Sequence, residues 1–375
     1  MQQRKRKTES LKLQMVSSIR AHGDEPVSLF VVHRHSVRAP MCYPPGDDVY
    51  LSRNNFPRGP SYLTDVGIKR SLQVGKIWKR WFPQFITGNP REVWARSSEA
   101  YRCAETCNTL LYALYSSKSN YQPISVIVPP ENQDKYIGSN SLSDEELFRY
   151  MENHIDTEVH TKDGKAVTVR NVLDFVKIQM NLEKDTNNYN MFIYLDGLSS
   201  LEYNKLAQPP WYTKNRKVID AAYNILYHQL TVTLRPFYGY YLLKGVADRI
   251  CLVRDGKAKF GERVNLFSFH DFSVSAVLTA LDESFHEFRP HFLSAVFFEL
   301  YRRPKDDLHY MMVSWSEGLD TNGSYASRKP LPLTWNGGSN RVKLDDFLPR
   351  LQDNTYSDYM KKNALLGYTG EDAFV

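Results

Sequence analysis

Residues 27–33 read Val-Ser-Leu-Phe-Val-Val-His, a β-prone run with little polar interruption. A strand with one wet face alternates apolar and polar side chains, whereas a near-continuous run suits a strand covered on both faces. Such a strand belongs in a sheet with helices on either side, and the rest of the chain must supply them.

The following patterns do so. Thr64 stands as an N-cap, with Leu63 and Ile68 spaced as a hydrophobic staple. Val66, Ile68, Leu72, Ile77, Trp78 and Trp81 then form an apolar side, and Pro83 lies just beyond. Glu92 to Arg96 is a second expected strand, leading into a helical segment from about Ser98 to Tyr115. Ile124 to Val128 is expected as a third strand, closed by Pro129-Pro130. From 131 to 245 the patterns are mainly helical, rich in Tyr and Asn, with no clear strand; Lys217 to Leu234 carries its apolar residues at helical spacing. Strands return at Asn265 to Phe269, Ser294 to Tyr301 and His309 to Trp315. The last two flank the turn-like Arg303-Pro304-Lys305-Asp306-Asp307 and form an expected antiparallel pair. Near the end, only Leu344 to Leu351 looks helical.

Alternating strand and helix implies an α/β class: a mixed, mostly parallel central sheet flanked by helices, with a helical cap insertion. The expected division is a basic polar tail at 1–26, an α/β core at 27–130 and 246–320, a cap at 131–245 and a C-terminal extension at 321–375.

Composition excludes several classes. With 42% hydrophobic and 24% charged residues the chain is globular, not disordered or fibrous. Its net charge of +6 is spread thinly, and Arg4-Lys5-Arg6-Lys7 reads as a solvated tail, so no nucleic-acid partner is expected. The mild positive bias suits phosphorylated substrates. No stretch approaches the roughly 18 apolar residues that a transmembrane segment needs. Residues 1–26 lack the apolar core of a secretory signal. Four cysteines, Cys42, Cys103, Cys107 and Cys251, are few for a secreted chain, and the expectation is a cytoplasmic, reducing location. Cys103 and Cys107, four apart, are expected as buried thiols rather than zinc ligands.

Three clusters carry chemistry, each just after an apolar run. The first is Arg34-His35-Ser36-Val37-Arg38-Ala39-Pro40. Arginine suits phosphoryl groups because its planar fork donates parallel hydrogen bonds, and an imidazole between two such forks can attack the phosphorus they hold. The second is Arg96-Ser97-Ser98, with Arg102 further along the helix; the third is His270-Asp271. In open α/β sheets, ligands bind outside the carboxyl ends of strands, where all three clusters are expected to lie.

These segments resemble the histidine acid phosphatases of the prostatic and lysosomal branch, whose signature Arg-His-Gly-x-Arg-x-Pro stands here at residues 34–40. That family's Arg-Ser-Thr segment, with a further Arg six residues on, is similar to Arg96-Ser97-Ser98 with Arg102, and its His-Asp motif to His270-Asp271. Phe56-Pro57-Arg58-Gly59, Leu63-Thr64-x-x-Gly67, Pro210-Trp211 and Glu299-Leu300-Tyr301 add weaker matches, over about residues 27 to 320. The resemblance implies that His35 becomes transiently phosphorylated and that Arg34, Arg38, Arg96 and His270 hold the phosphate. It further implies that Asp271 is the proton donor and that Phe56 and Arg58 contact the substrate. It implies no cofactor and no metal, an acidic optimum, a phosphorylated small-molecule or phosphoprotein substrate, a homodimer, and a lysosomal or secreted location.

The chain departs from the pattern at Ser36, where the family has glycine, and in its cysteines, which do not match the family's disulfides. Ser36 suggests an alternative, a weakened or non-catalytic phosphate-binding protein. The Arg-His signature also serves phosphoglycerate mutases, although His270-Asp271 suits hydrolysis better. A metal site at His33 and His35 is disfavoured by the flanking arginines. His154 and His160 are expected at the surface, and Trp211 and Tyr212 in the cap core.

Overall fold

A computed structural model describes residues 23–45, 49–116, 123–134, 154–285 and 288–351, together with residues 136 and 152. The basic run at 4–7, most of the tail and the end of the C-terminal extension lie outside the described residues.

The strands are β1 (Glu25–Arg34), β2 (Val93–Ser97), β3 (Glu158–His160), β4 (Ala166–Thr168), β5 (Val264–Phe269), β6 (Ala295–Arg303), β7 (Leu308–Ser316), β8 (Lys329–Pro330) and β9 (Arg341–Lys343). The described α-helices are α1 (Asp65–Trp81), α2 (Tyr101–Tyr115), α3 (Val169–Gln179), α4 (Asn188–Tyr203), α5 (Pro210–Arg254), α6 (Asp271–Leu281) and α7 (Leu344–Leu351). Seven strands form one mixed sheet in the order β2-β5-β1-β6-β7-β8, with β9 also on β7. β2, β5 and β1 pair in parallel; β6 is antiparallel to β1 and β7 to β6, so β7 again runs with β1.

The opening run forms β1 because both of its faces are covered. Phe30 and Val32 face a core shared with α5, α6 and α7, whereas Leu29 and Val31 face Val74 and Trp78 of α1 and Leu110 of α2. Full burial of each such side chain contributes roughly 1.5–3 kcal/mol. Thr64 caps α1 as its spacing suggests, accepting from the Gly67 N–H at 3.2 Å. The antiparallel pair across Arg303–Asp307 and the helix Leu344–Leu351 also form as expected.

Two expectations fail for reasons of length. Ile124 to Val128 does not make a strand of its own; Ile127 makes an isolated bridge to Arg96 at the sheet edge. Between 131 and 245 a two-stranded sheet, β3-β4, appears, its three-residue strands too short to register as alternation. Tyr212 is core as expected, with Trp211 packed half-buried beside it; His160 is exposed and His154 half-buried. Among the described residues no helix is long and apolar enough to cross a membrane.

The parallel strands fix the site. Their register sets Arg34 beside Phe269 and Ser97 beside Ser268, so β1, β2 and β5 end together. The loops after them begin with His35, Ser98 and His270.

Candidate active site

His35 is pinned from two sides: its N–H donates to the Phe269 carbonyl at 2.9 Å, and its carbonyl accepts from Leu293 N–H at 3.2 Å. Leu293 has φ +60°, a left-handed backbone that a branched residue adopts only under constraint, beside the candidate nucleophile. The His35 Nδ1 lies 2.9 Å from the Ser36 carbonyl. A carbonyl only accepts, so Nδ1 carries the ring proton and Nε2 keeps a free lone pair. Burial, then the charges of Arg102, Arg34 and Arg38 and the neighbouring His270, hold the His35 pKa well below 6.5. The ring therefore stays neutral and nucleophilic under acidic conditions.

Ser36 is buried and turned away. Its hydroxyl donates to the Gly67 carbonyl at 2.8 Å, and its N–H donates to Thr106 Oγ1 at 2.9 Å. It is not among the residues with positive φ, so this backbone does not require glycine. Gly67 is the position that does: a Cβ there would sit 1.9 Å from the Val37 carbonyl oxygen.

Arg34, the last residue of β1, and Arg38, in the loop after it, share one pattern. Arg34 donates through one terminal nitrogen to the Pro290 carbonyl at 2.7 Å and pairs through the other with Asp271 at 2.8 Å. Arg38 donates to the Ala39 carbonyl at 2.9 Å and pairs with Asp196 at 2.7 Å. In each, the Nε–H is buried and has no acceptor among the described residues. Arg102 likewise has a buried, unpartnered Nε–H, and its terminal nitrogen donates to His270 Nδ1 at 3.4 Å. The His270 proton then sits on Nε2, donating to Ser98 Oγ at 3.1 Å. Burial and Arg102 depress the His270 pKa well below 6.5, followed by Arg34 and Arg38. The two imidazoles stand edge to face, 5.8 Å apart.

The structure thus gathers Arg34, His35, Arg38, His270 and Asp271, with Arg102. It leaves out Arg96, whose guanidinium pairs with Asp134 at 2.5 Å and lies 4.1 Å over the Tyr136 ring. Arg96 is not among the charges bearing on His35 or His270. Of the two arginines of this segment, Arg102 is the one whose charge bears on His35 and His270. Phe56 is a core residue, 1% exposed and stacked on Tyr43, so it has no surface to offer a substrate. Arg58 is exposed and paired with Glu105 at 2.6 Å, outside the cluster. Cys103 is a buried thiol about 4 Å from His270 (3.8 and 3.9 Å to its two nitrogens), and burial raises its pKa to about 11. All four cysteines are free.

Two partners escaped the sequence. Asp196 of α4 meets Arg38, and its other oxygen accepts from the Tyr223 hydroxyl at 3.2 Å and faces Arg289 at 3.5 Å. Burial alone would raise its pKa, but Arg38, Arg289 and Arg34 together keep it below the ordinary carboxylate range. Arg289 lies 4.1 Å over the Tyr223 ring. No local pattern marks either residue.

No family model matches the chain. It is 31% identical over 120 residues to testicular acid phosphatase of Mus musculus, which covers 29% of this chain and 28% of that protein. The match therefore spans under a third of that relative. Lysosomal acid phosphatase of Bos taurus is 23% identical over 353 residues, covering 90% of this chain and 80% of that protein. Among solved structures, the phytase from Citrobacter braakii superposes with a TM-score of 0.57 at 14% identity, over 88% of this chain and 98% of that one, a likeness of fold.

Proposed function

We propose that this chain, which has sequence relatives among the acid phosphatases and the α/β fold of the histidine phosphatase superfamily, hydrolyses phosphate monoesters through a phosphohistidine at His35. The observation that carries this reading is the set of three buried Nε–H groups without acceptors, on Arg34, Arg38 and Arg102. An unsatisfied buried donor costs about 1–3 kcal/mol, more when charged. A phosphoryl group brings three oxygens to meet them, and the fixed donors then stabilise the charge of the transition state.

The chemistry follows in two steps. His35 Nε2 attacks phosphorus, the ester P–O bond breaks, and Asp271 gives its proton to the departing alkoxide. Water then attacks the phosphohistidine, losing a proton to the Asp271 carboxylate, and the P–N bond electrons return to His35. Phosphate takes over Arg34, which frees the Asp271 carboxylate from the ion pair it otherwise holds, and the freed carboxylate takes up a solvent proton before the ester bond breaks. The arginines supply the positive charge that a metal supplies elsewhere, so the mechanism needs none. A neutral His35 below pH 6.5 favours an acidic optimum. The substrate is a phosphorylated small molecule. Ser36, the reason to consider a non-catalytic protein, turns its hydroxyl to Gly67 instead of crowding His35, which supports an active site. Four free thiols suit a reducing compartment, whereas the bovine relative is lysosomal by name.

The test is phosphate release from p-nitrophenyl phosphate, from acidic to neutral pH, for the wild type and His35→Ala. Turnover lost in the variant, with an acid-labile phosphoenzyme trapped only in the wild type, is the expected result. A wild type inert at every pH would sink the proposal.

A further inference from the structure

Asp196 has no part in the proton transfers assigned to Asp271, and it comes from a cap helix instead of a strand end. We infer that Asp196 is a positioning residue: by clamping one end of the Arg38 guanidinium, it aims the free Nε–H edge at the phosphoryl site. The inference rests on the phosphatase reading for what that edge receives.

A guanidinium is planar, so fixing both terminal nitrogens fixes its plane and the direction of the remaining N–H. Arg38 has one terminal nitrogen on the Ala39 carbonyl at 2.9 Å and the other on Asp196 at 2.7 Å. The first partner is the next residue and moves with the loop. Among the described residues, Asp196 is the partner that ties the Arg38 guanidinium to a separate element.

That element is itself held against the loop. The Asn204 side-chain amide at the end of α4 donates to the Arg38 carbonyl at 3.3 Å. At Gly197 a Cβ would lie 3.3 Å from both Pro40 and Leu51, so α4 packs directly on the segment following Arg38. The carboxylate is steadied from behind by the Tyr223 hydroxyl and by Arg289. Asp271 differs: it is more exposed, it pairs with Arg34, and its proposed task requires it to let go. One carboxylate handles protons, and the other stays an anion and holds an arginine still.

The test is a double-mutant cycle between Arg38→Gln and Asp196→Asn, read in kcat/KM for p-nitrophenyl phosphate and in the Kd for inorganic phosphate. Asp196→Asn is expected to worsen both by up to about 10²-fold. In the Arg38→Gln background it should change neither. A structural role would lower the melting temperature and add its full loss in both backgrounds, and that additivity would overturn the inference. Tyr223→Phe provides a gentler cycle should Asp196→Asn fold poorly. Its loss, about threefold, must likewise vanish without Arg38. Phosphate binding without ester turnover would defeat the phosphatase reading while leaving the affinity cycle to decide the role of Asp196.

Discussion

The Arg34 guanidinium holds the Asp271 carboxylate at 2.8 Å, which joins the end of β1 to the first turn of α6. An acid engaged in this way becomes available only when another anion claims the arginine. Asp271→Asn is therefore expected to slow hydrolysis of alkyl phosphates by about 10²–10⁴-fold, since their alkoxides need a proton. In the phosphorylation step, the loss with p-nitrophenyl phosphate, whose phenolate leaves unaided, should be much smaller. Equal losses on both substrates in the rate of phosphoenzyme formation would remove Asp271 from the acid role.

His35→Ala should abolish turnover, with a loss on the order of 10⁴-fold or more. The measurement is phosphate release, paired with mass spectrometry of the quenched enzyme for a phosphorylated peptide containing residue 35.

Arg102→Gln and Arg96→Gln should part company. Arg102 bears on both histidines, and its loss should lower kcat/KM by about 10²–10³-fold. Arg96→Gln strands the buried Asp134 and should instead cost about 3–5 kcal/mol of stability, read by urea denaturation. An activity loss for Arg96→Gln matching that of Arg102→Gln in a folded protein would reverse this assignment.

Ser36→Gly removes the hydroxyl bond to Gly67 and adds backbone freedom. It should cost about 1–2 kcal/mol of stability and leave kcat within a few-fold. Gly67→Ala, by contrast, places a methyl group against the Val37 carbonyl and should not yield folded protein.

Acid should weaken the fold while the nucleophile stays active. His33 is fully buried against Trp78, and burial lowers its pKa to about 4. The unfolded chain takes up that proton near pH 6.5 and the folded chain does not, so stability is complete above 6.5 and falls as pH drops toward 4. His33 alone accounts for roughly 3 kcal/mol over that window. Urea midpoints measured across it should decline in the wild type and decline less steeply in His33→Gln, the buried His35 and His270 keeping part of the slope.

The sheet was legible because its strands announce themselves: Val27 to Val32 is apolar on both faces, and Leu308 to Ser316 pairs across an evident turn. The three site clusters were legible because parallel strands end together. What failed was orientation. Strand-end logic favoured Arg96 over Arg102, yet Arg96 points along the sheet into Tyr136, and only the first turn of α2 swings Arg102 back to His270. Phe56 was expected to contact the substrate, but its loop folds the aromatic ring into the core beside Tyr43. Asp196 lies 158 residues from Arg38, and nothing in either neighbourhood signals that they meet.

The short segment entering β6 touches Arg34, His35 and Asp196. Pro290 and Leu293 act through main-chain atoms, whereas Arg289 and Phe292 act through side chains, Phe292 lying under Arg34 and against His35. Main-chain contacts survive any change of side chain; the other two do not. A substitution at Arg289 or Phe292 therefore changes the surroundings of Asp196, Arg34 and His35 while the Arg-His signature itself stays untouched.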